Sequence, residues 1–339
     1  MSIKTLCALL KHKRFVSIGR AGLDFYAEPP GTEMHDATLF SAHVGGSAGN
    51  IAVALAKLGS QVDIITCFSD DAVGRSVIKK LNDFGVSTAH CRIADGEARN
   101  TLAIVETRLE NCQSVIYRQG AADLELNVED IKAFDFAEVS GVILSGTALA
   151  IEPSRAAIFC AIKQARAANV PIVIDMDYRS YTWKSAEEAQ AVYTDAISQC
   201  NIVIGNDVEF GVAAGNYELG LNYATSLIKA APDVVIFKKG EFGSTTLTKE
   251  RIFDTGIFPV SALKPTGAGD AFMGGFIAGL AEGMTLDQAV IQGTASAAIV
   301  VTRVACSSAM PNHLELATFR QLNTLSSLET KQKYAHSAI

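Results

Sequence analysis

The stretch KPTGAGDAF, Lys264 to Phe272, puts two glycines and a carboxylate where a helix should begin. Pro265 disfavours helical backbone at Lys264. From Ala268 onward, Phe272, Phe276 and Leu280 recur at helical spacing. Gly267, Ala268 and Gly269 therefore fall in the first turn, where backbone N–H groups find no partner inside the helix. Those amides, the positive end of the helix dipole and the absent side chains make a cradle for a phosphate or a developing oxyanion. Asp270 stands beside it, and a carboxylate there can align a hydroxyl and accept its proton. The helix terminus is expected to lower the Asp270 pKa and make it a weak base, which phosphoryl transfer tolerates because its transition state is loose. The motif is neither a G-K-[ST] phosphate loop nor a G-x-G-x-x-G after a first strand. Alone it also fits a capped helix with packed glycines.

A second glycine pair precedes a helix in HVGGSAGNIAVALAKLG, residues 43–59. Gly45 and Gly46 permit close approach of a polyol, Asn50 offers an amide for two hydroxyls, and Asp24 offers a carboxylate for another pair. Each alone is equally a turn former or a helix cap. Three cations stand at the ends of predicted strands: Arg118 in VIYR, Arg179 in DMDYR and Lys184 in YTWK. A guanidinium fork matches a carboxylate, although each is singly compatible with a solvated surface.

The elements that position these residues follow an α/β rhythm. RFVSIG (14–19) reads as a buried first strand, 47–59 as a helix closed by Gly59, QVDIITCFS (61–69) as a strand and 71–85 as a helix. NTLAIVET and QSVIYRQG alternate around a polar turn, and with the extended stretches around Pro29–Gly31 they predict a small sheet apart from the main one. After Asp130 strands and helices alternate again, beginning with VSGVILSG as a strand and ending in two helices near 268–283 and 285–304. Repeated βα units predict a parallel sheet with right-handed crossovers and ligands at the carboxyl ends of its strands. Asp175, Asp177, Asn206, Glu209, Lys239 and Gly240 fall at such ends.

The 339 residues are 49% apolar, enough for a sizeable core, and carry a net charge of −7. That acidity argues against a nucleic-acid or anionic-membrane partner. The seven cysteines are spread without a C-x-x-C pair, as reduced thiols packed like small hydrophobes would be. Basic residues follow the first apolar patch, the reverse of a signal peptide, and no apolar run is long enough to span a bilayer. The expectation is a soluble, cytoplasmic protein.

Taken together, GGSAGNIAVALAKLG early and KPTGAGDAF late resemble the ribokinase-like (PfkB) sugar kinase family. The resemblance implies one α/β domain over 14–320, a three-layer sandwich with a mainly parallel central sheet. It also implies a small β lid from segments near 22–44 and 98–122, followed by a polar tail at 325–339. It implies ATP- and Mg²⁺-dependent phosphorylation, with Asp270 as base and Gly267, Ala268 and Gly269 as anion hole. Asn206 and Glu209 match the family's N-x-x-E, which organises magnesium and phosphate through water. Lys239, Gly240 and Gly243 match its nucleotide loop, and Thr266 and Ala297 are expected against the nucleotide. Sugar-acid kinases of this family carry Y-R and D-x-N-x-R where this chain has Arg118 and Arg179, with Asp177 replacing the asparagine. The implied acceptor is the terminal hydroxyl of a keto-deoxy sugar acid: 5-dehydro-2-deoxygluconate ahead of 2-keto-3-deoxygluconate, with fructose behind. Many relatives hold a monovalent cation with an Asp two residues before the Thr; here that position is Lys264, so K⁺ independence is expected. A homodimer through the lid is a further expectation. A dehydrogenase would need a glycine fingerprint after the first strand, and a non-catalytic sugar sensor would lack Asp270 or carry a DNA-binding appendage; neither pattern is present.

Overall fold

The structure is a computed structural model that describes residues 2–326. The chain opens with helix α1 (Ile3–Leu10), strand β1 (Arg14–Ile18), β2 (Gly22–Glu28), β3 (Leu39–Gly45), α2 (Ser47–Lys57), β4 (Gln61–Ile65), β5 (Cys67–Phe68) and α3 (Ala72–Asp83). It continues through β6 (Val86–Ser87), β7 (Arg92–Ile93), β8 (Leu102–Val105), β9 (Ser114–Tyr117), α4 (Val128–Lys132), β10 (Gly141–Ser145), α5 (Ser154–Ala167), β11 (Ile172–Asp175) and α6 (Ala186–Ile197). Then come β12 (Ile202–Asn206), α7 (Asp207–Ala213), α8 (Gly220–Ala230), β13 (Val234–Lys238), β14 (Ser244–Thr248), β15 (Ile252–Thr255), α9 (Ala268–Ala281), α10 (Leu286–Val301) and α11 (His313–Leu322).

Among the described residues the main sheet has nine strands in the order β15-β14-β13-β12-β11-β10-β1-β4-β6. It is parallel from β6 to β13 and antiparallel only at β14 and β15. Its central strands are apolar runs because both faces are covered. Ile143, Val173, Ile204 and Ile236 point to the layer holding α2, α9 and α10, while Val142, Ile174, Val203 and Val235 point to the layer holding α5, α6 and α8. The small sheet predicted from alternation is present, in the order β3-β2-β8-β9, with β2 and β8 parallel. Three contacts strap it to the segment after α10: Tyr26 Oη donates to Cys306 Sγ (3.0 Å), Ser307 Oγ donates to Val44 O (2.7 Å), and Ser308 Oγ bonds His43 Nδ1 (2.9 Å).

Several elements depart from the sequence expectations. The first apolar patch is α1, capped by Ser2 and docked on α9, with Leu6 and Leu10 fully buried one turn apart. The strand expected over 61–69 is interrupted at Thr66, and its continuation β5 pairs with β7 in a separate two-stranded sheet. A third C-terminal helix, α11, follows the two expected; Asn312 and Glu315 close its first turn as a reciprocal capping box. Of the expected polar tail, Ser326 exchanges hydrogen bonds with Ile257, and residues 327–339 lie outside the described residues.

Helix α9 is fully buried from Ala271 to Ala281 and rich in glycine for a geometric reason. A Cβ on Gly274 would meet Ala54 of α2 at 2.3 Å, and one on Gly275 would meet Ser296 of α10 at 2.3 Å. The absent side chains let α2 and α10 approach the α9 backbone closely. Gly274→Val is expected to destabilise the fold by about 1–3 kcal/mol or more through overpacking, read as a lowered denaturant midpoint; an unchanged midpoint would show that the helices have room to part.

Candidate active site

Gly267 caps α9 with a left-handed φ of 85°, and a Cβ there would also strike Cys306 Sγ at 2.6 Å. Glycine meets both demands without strain. The turn leaves Gly267, Ala268 and Gly269 partly accessible, and the Ala268 N–H makes only a long 3.4 Å bond back to Pro265 O. Lys264 fixes the approach to this turn. It is wholly buried, and its Nζ donates to Thr266 O at 2.5 Å.

Asp270 lies in the same first turn, and its Oδ2 accepts a 2.7 Å bond from Asn50 Nδ2. The backbone reaches this arrangement by close approach at Gly45 and Gly46. A Cβ on Gly45 would fall 1.9 Å from the Asp24 carboxylate, and one on Gly46 would fall 2.5 Å from Arg20 O. Asp24 itself is 5% exposed. Its carboxyl is pushed up by burial, against the pull of Arg20.

Four carboxylates converge beneath the cradle: Asp175, Asp177, Glu209 and Asp270. Burial first, then the charges of Asp175 and Asp177, push the Asp270 carboxyl from 3.8 up to about 7. The sequence expectation of a lowered value is thereby corrected: loss of water and like charge outweigh the helix dipole here. Glu209 is likewise pushed up to about 7, by burial first and by Asp175. Its Oε2 accepts from the Asn206 N–H (2.7 Å) while Asn206 Oδ1 accepts from the Glu209 N–H (2.9 Å), so the N-x-x-E pair is also the capping box of α7. Asp177 occupies a left-handed φ of 38°, a region that Asn and Asp tolerate better than other side chains. It pairs with Arg179 Nη2 at 2.7 Å.

Lys238 was not anticipated. Its Nζ stands 3.6 Å from Asp175 Oδ1 and 3.1 Å from where a side chain on Gly269 would start. Burial works against its charge, but Asp175, Glu209 and Asp270 together raise its pKa. Strand periodicity could have found it: Val234 and Ile236 face the α9 layer, and Lys238 is next in that alternation. Lys239, the residue expected there, follows the strand's end and pairs with Asp254 at 2.9 Å. Its backbone, with Gly240 and Gly243 at φ of 57° and 81°, does form a tight loop closed by the Lys239 N–H to Gly243 O bond of 2.7 Å.

The other expected substrate contacts are placed less favourably. Arg118 already has its anion: Nε and Nη2 donate to Asp123 Oδ2 (2.9 and 2.6 Å), and Nη1 to Thr147 O (3.1 Å). Lys184 is exposed, and no pairing joins it to the cluster. Ala297 lies partly buried on α10. Three buried polar atoms near the Gly45–Gly46 turn and the start of α9 lack any hydrogen-bond partner: Arg20 Nη1, Asp24 Oδ1 and Asn50 Oδ1. Buried polar groups are ordinarily satisfied, so these atoms retain hydrogen-bonding capacity.

An anion cradle at a helix N-terminus, a carboxyl tuned near neutrality, an ammonium over the cradle and a β lid above define an α/β phosphoryl-transfer enzyme. Residues 12–313 match the profile of the pfkB family carbohydrate kinases, and the chain belongs to that family. It is similar to 5-dehydro-2-deoxygluconokinase of Photobacterium profundum, 38% identical over 310 residues that cover 90% of this chain and 93% of the relative. The same-named protein of Geobacillus thermodenitrificans is 34% identical, covering 91% and 93%. Among solved structures, a putative ribokinase II from E. coli in complex with ATP and Mg²⁺ superposes with a TM-score of 0.81 at 20% identity, covering 91% of this chain and 99% of that one.

A carboxyl held at about 7 in the folded protein binds its proton more tightly than in the unfolded chain. Stability contributed by the neutral form is therefore lost as pH rises from the usual carboxylate range through 7. Asp270→Asn should remove that loss, raising stability at pH 8 by about 1–4 kcal/mol with little gain near pH 4, as followed by thermal melts across pH. Equal melting at pH 8 would mean Asp270 titrates normally.

Proposed function

We propose that this kinase transfers the γ-phosphoryl group of ATP to the terminal hydroxyl of a keto-deoxy sugar acid, 5-dehydro-2-deoxygluconate first among them. The observation that carries the reading is Asp270 beside the open amides of α9, aimed by Asn50 and held near neutral pKa. The names of the relatives supply the acceptor.

Asp270, in its ionised form, takes the hydroxyl proton as the new O–P bond forms and the bond from the γ-phosphorus to the bridging oxygen breaks, ADP leaving with that oxygen. Gly267, Ala268 and Gly269 donate amides to the phosphoryl oxygens, and Lys238 adds an ammonium on the same side. Asn50 orients Asp270, and Asp24 with the Gly45–Gly46 turn receives the sugar's other hydroxyls. The Gly240–Gly243 loop, Thr266 and Ala297 serve the nucleotide. The donor set fits Mg²⁺ only indirectly: no group of three ligating side chains is assembled among the described residues, and Glu209 has one carboxylate oxygen outside its capping box. Glu209 would hold the ion through water, and the ion would neutralise phosphate charge.

Lys264 Nζ donates to Thr266 O at the approach to the cradle, where a side-chain amine stands instead of a cation-ligating carboxylate, which supports a reaction independent of K⁺. Exposed Phe40, Val115 and Tyr117 share the outer face of the lid, the surface a second copy would cover in a homodimer. Seven free cysteines and an ATP-consuming reaction suit the cytoplasm. No helix among the described residues is long and apolar enough to cross a membrane.

An ATP-consumption screen over keto-deoxy sugar acids, ribose, fructose and nucleosides tests the reading, with turnover expected on the acids. Strong preference for fructose would replace it. Asp270→Asn should lower kcat by about 10²–10⁴-fold; near-normal turnover would remove Asp270 as base. Rates in K⁺- and Na⁺-free buffer should change little on adding KCl, and a large activation would defeat the role given to Lys264.

A further inference from the structure

Arg20 lies in the link between β1 and β2, with its carbonyl against Gly46 and accepting the Gly49 N–H at 3.2 Å. The side chain is thus rooted at the turn that lines the expected sugar pocket. The residue is only 9% exposed. Its Nη1 is sealed from solvent without a hydrogen-bond partner, and Arg20 forms no ion pair among the described residues. A guanidinium cannot escape burial by losing its proton, so one buried with an unbonded N–H is costly until an acceptor reaches it.

Four other cations of the candidate site already have partners. Arg118 is spent on Asp123, Arg179 on Asp177, Lys238 on Asp175, and Lys264 donates to Thr266 O. Arg20 is the leading charge acting on Asp24, yet that carboxylate leaves its own Oδ1 unpaired and forms no ion pair with it. An orphan donor beside an orphan acceptor suits a ligand carrying an anionic end next to a hydroxyl, the composition of a sugar acid. A neutral ketose would satisfy Asp24 and leave Arg20 uncompensated.

We propose that Arg20, rather than Arg118, binds the carboxylate of the acceptor and sets the preference of this kinase for an acid. The inference rests on the sugar-acid reading above and specifies which side chain enforces it. Arg118 then shapes the pocket wall through Asp123 and Thr147.

The test compares wild type, Arg20→Gln and Arg20→Lys on 5-dehydro-2-deoxygluconate and on its uncharged carboxamide, with ATP affinity and melting temperature measured alongside. In Arg20→Gln, KM for the acid should rise by at least about 30-fold, and the acid should lose its advantage over the carboxamide. The KM for ATP should move far less. Arg20→Lys keeps the charge without the fork and should recover part of the discrimination, which a purely structural role would not produce. If Arg20→Gln keeps its ATP affinity and still prefers the acid as strongly as wild type, the proposal is overturned and the carboxylate belongs to Arg118 or Arg179. If Arg20→Gln fails to fold, Arg20→Lys decides, since undiminished discrimination there also overturns it. Wild type inactive on every sugar acid would instead remove the functional reading, an outcome distinct from either.

Discussion

The site depends on one hydrogen bond between helices whose partners lie 220 residues apart in the chain, from Asn50 on α2 to Asp270 on α9. It can form because α9 presents bare backbone where α2 crosses it, at Gly274 against Ala54. The half of the molecule rooted in α2 and the small sheet and the half rooted in the start of α9 are brought to a single carboxylate. A side chain held this way keeps its orientation without waiting for a ligand.

The electrostatics follow from the same convergence. Parallel strands deliver their carboxyl ends to one edge, so Asp175, Asp177 and Glu209 gather under Asp270. Lys238 and Arg179 offset part of that charge. The remainder, together with burial, holds Asp270 and Glu209 near neutrality. The cluster thus accepts a proton readily, while Lys238 lies beside both Asp175 and the first turn of α9 at Gly269.

Much of this was legible in the chain because the signals are local. Pro265, the glycines and the Phe272–Phe276–Leu280 spacing mark the start of α9, and alternation marks β8 and β9 as a separate small sheet. What stayed hidden is set by contacts distant in sequence. The Asp270 pKa depends on β11, and the state of Arg118 depends on Asp123 and Thr147. No pattern in GRAGLD reveals that Arg20 is buried and unmatched. Lys238 and α1 are different: strand parity and an i, i+4 leucine pair after a capping serine carried the information.

The three bonds that strap β2 and β3 to Cys306, Ser307 and Ser308 have a mechanical meaning, because Cys306 also rests against Gly267. One side chain thus touches both the small sheet and the left-handed glycine that caps α9. A displacement of the small sheet and a displacement of the turn that opens α9 therefore bear on the same sulfur.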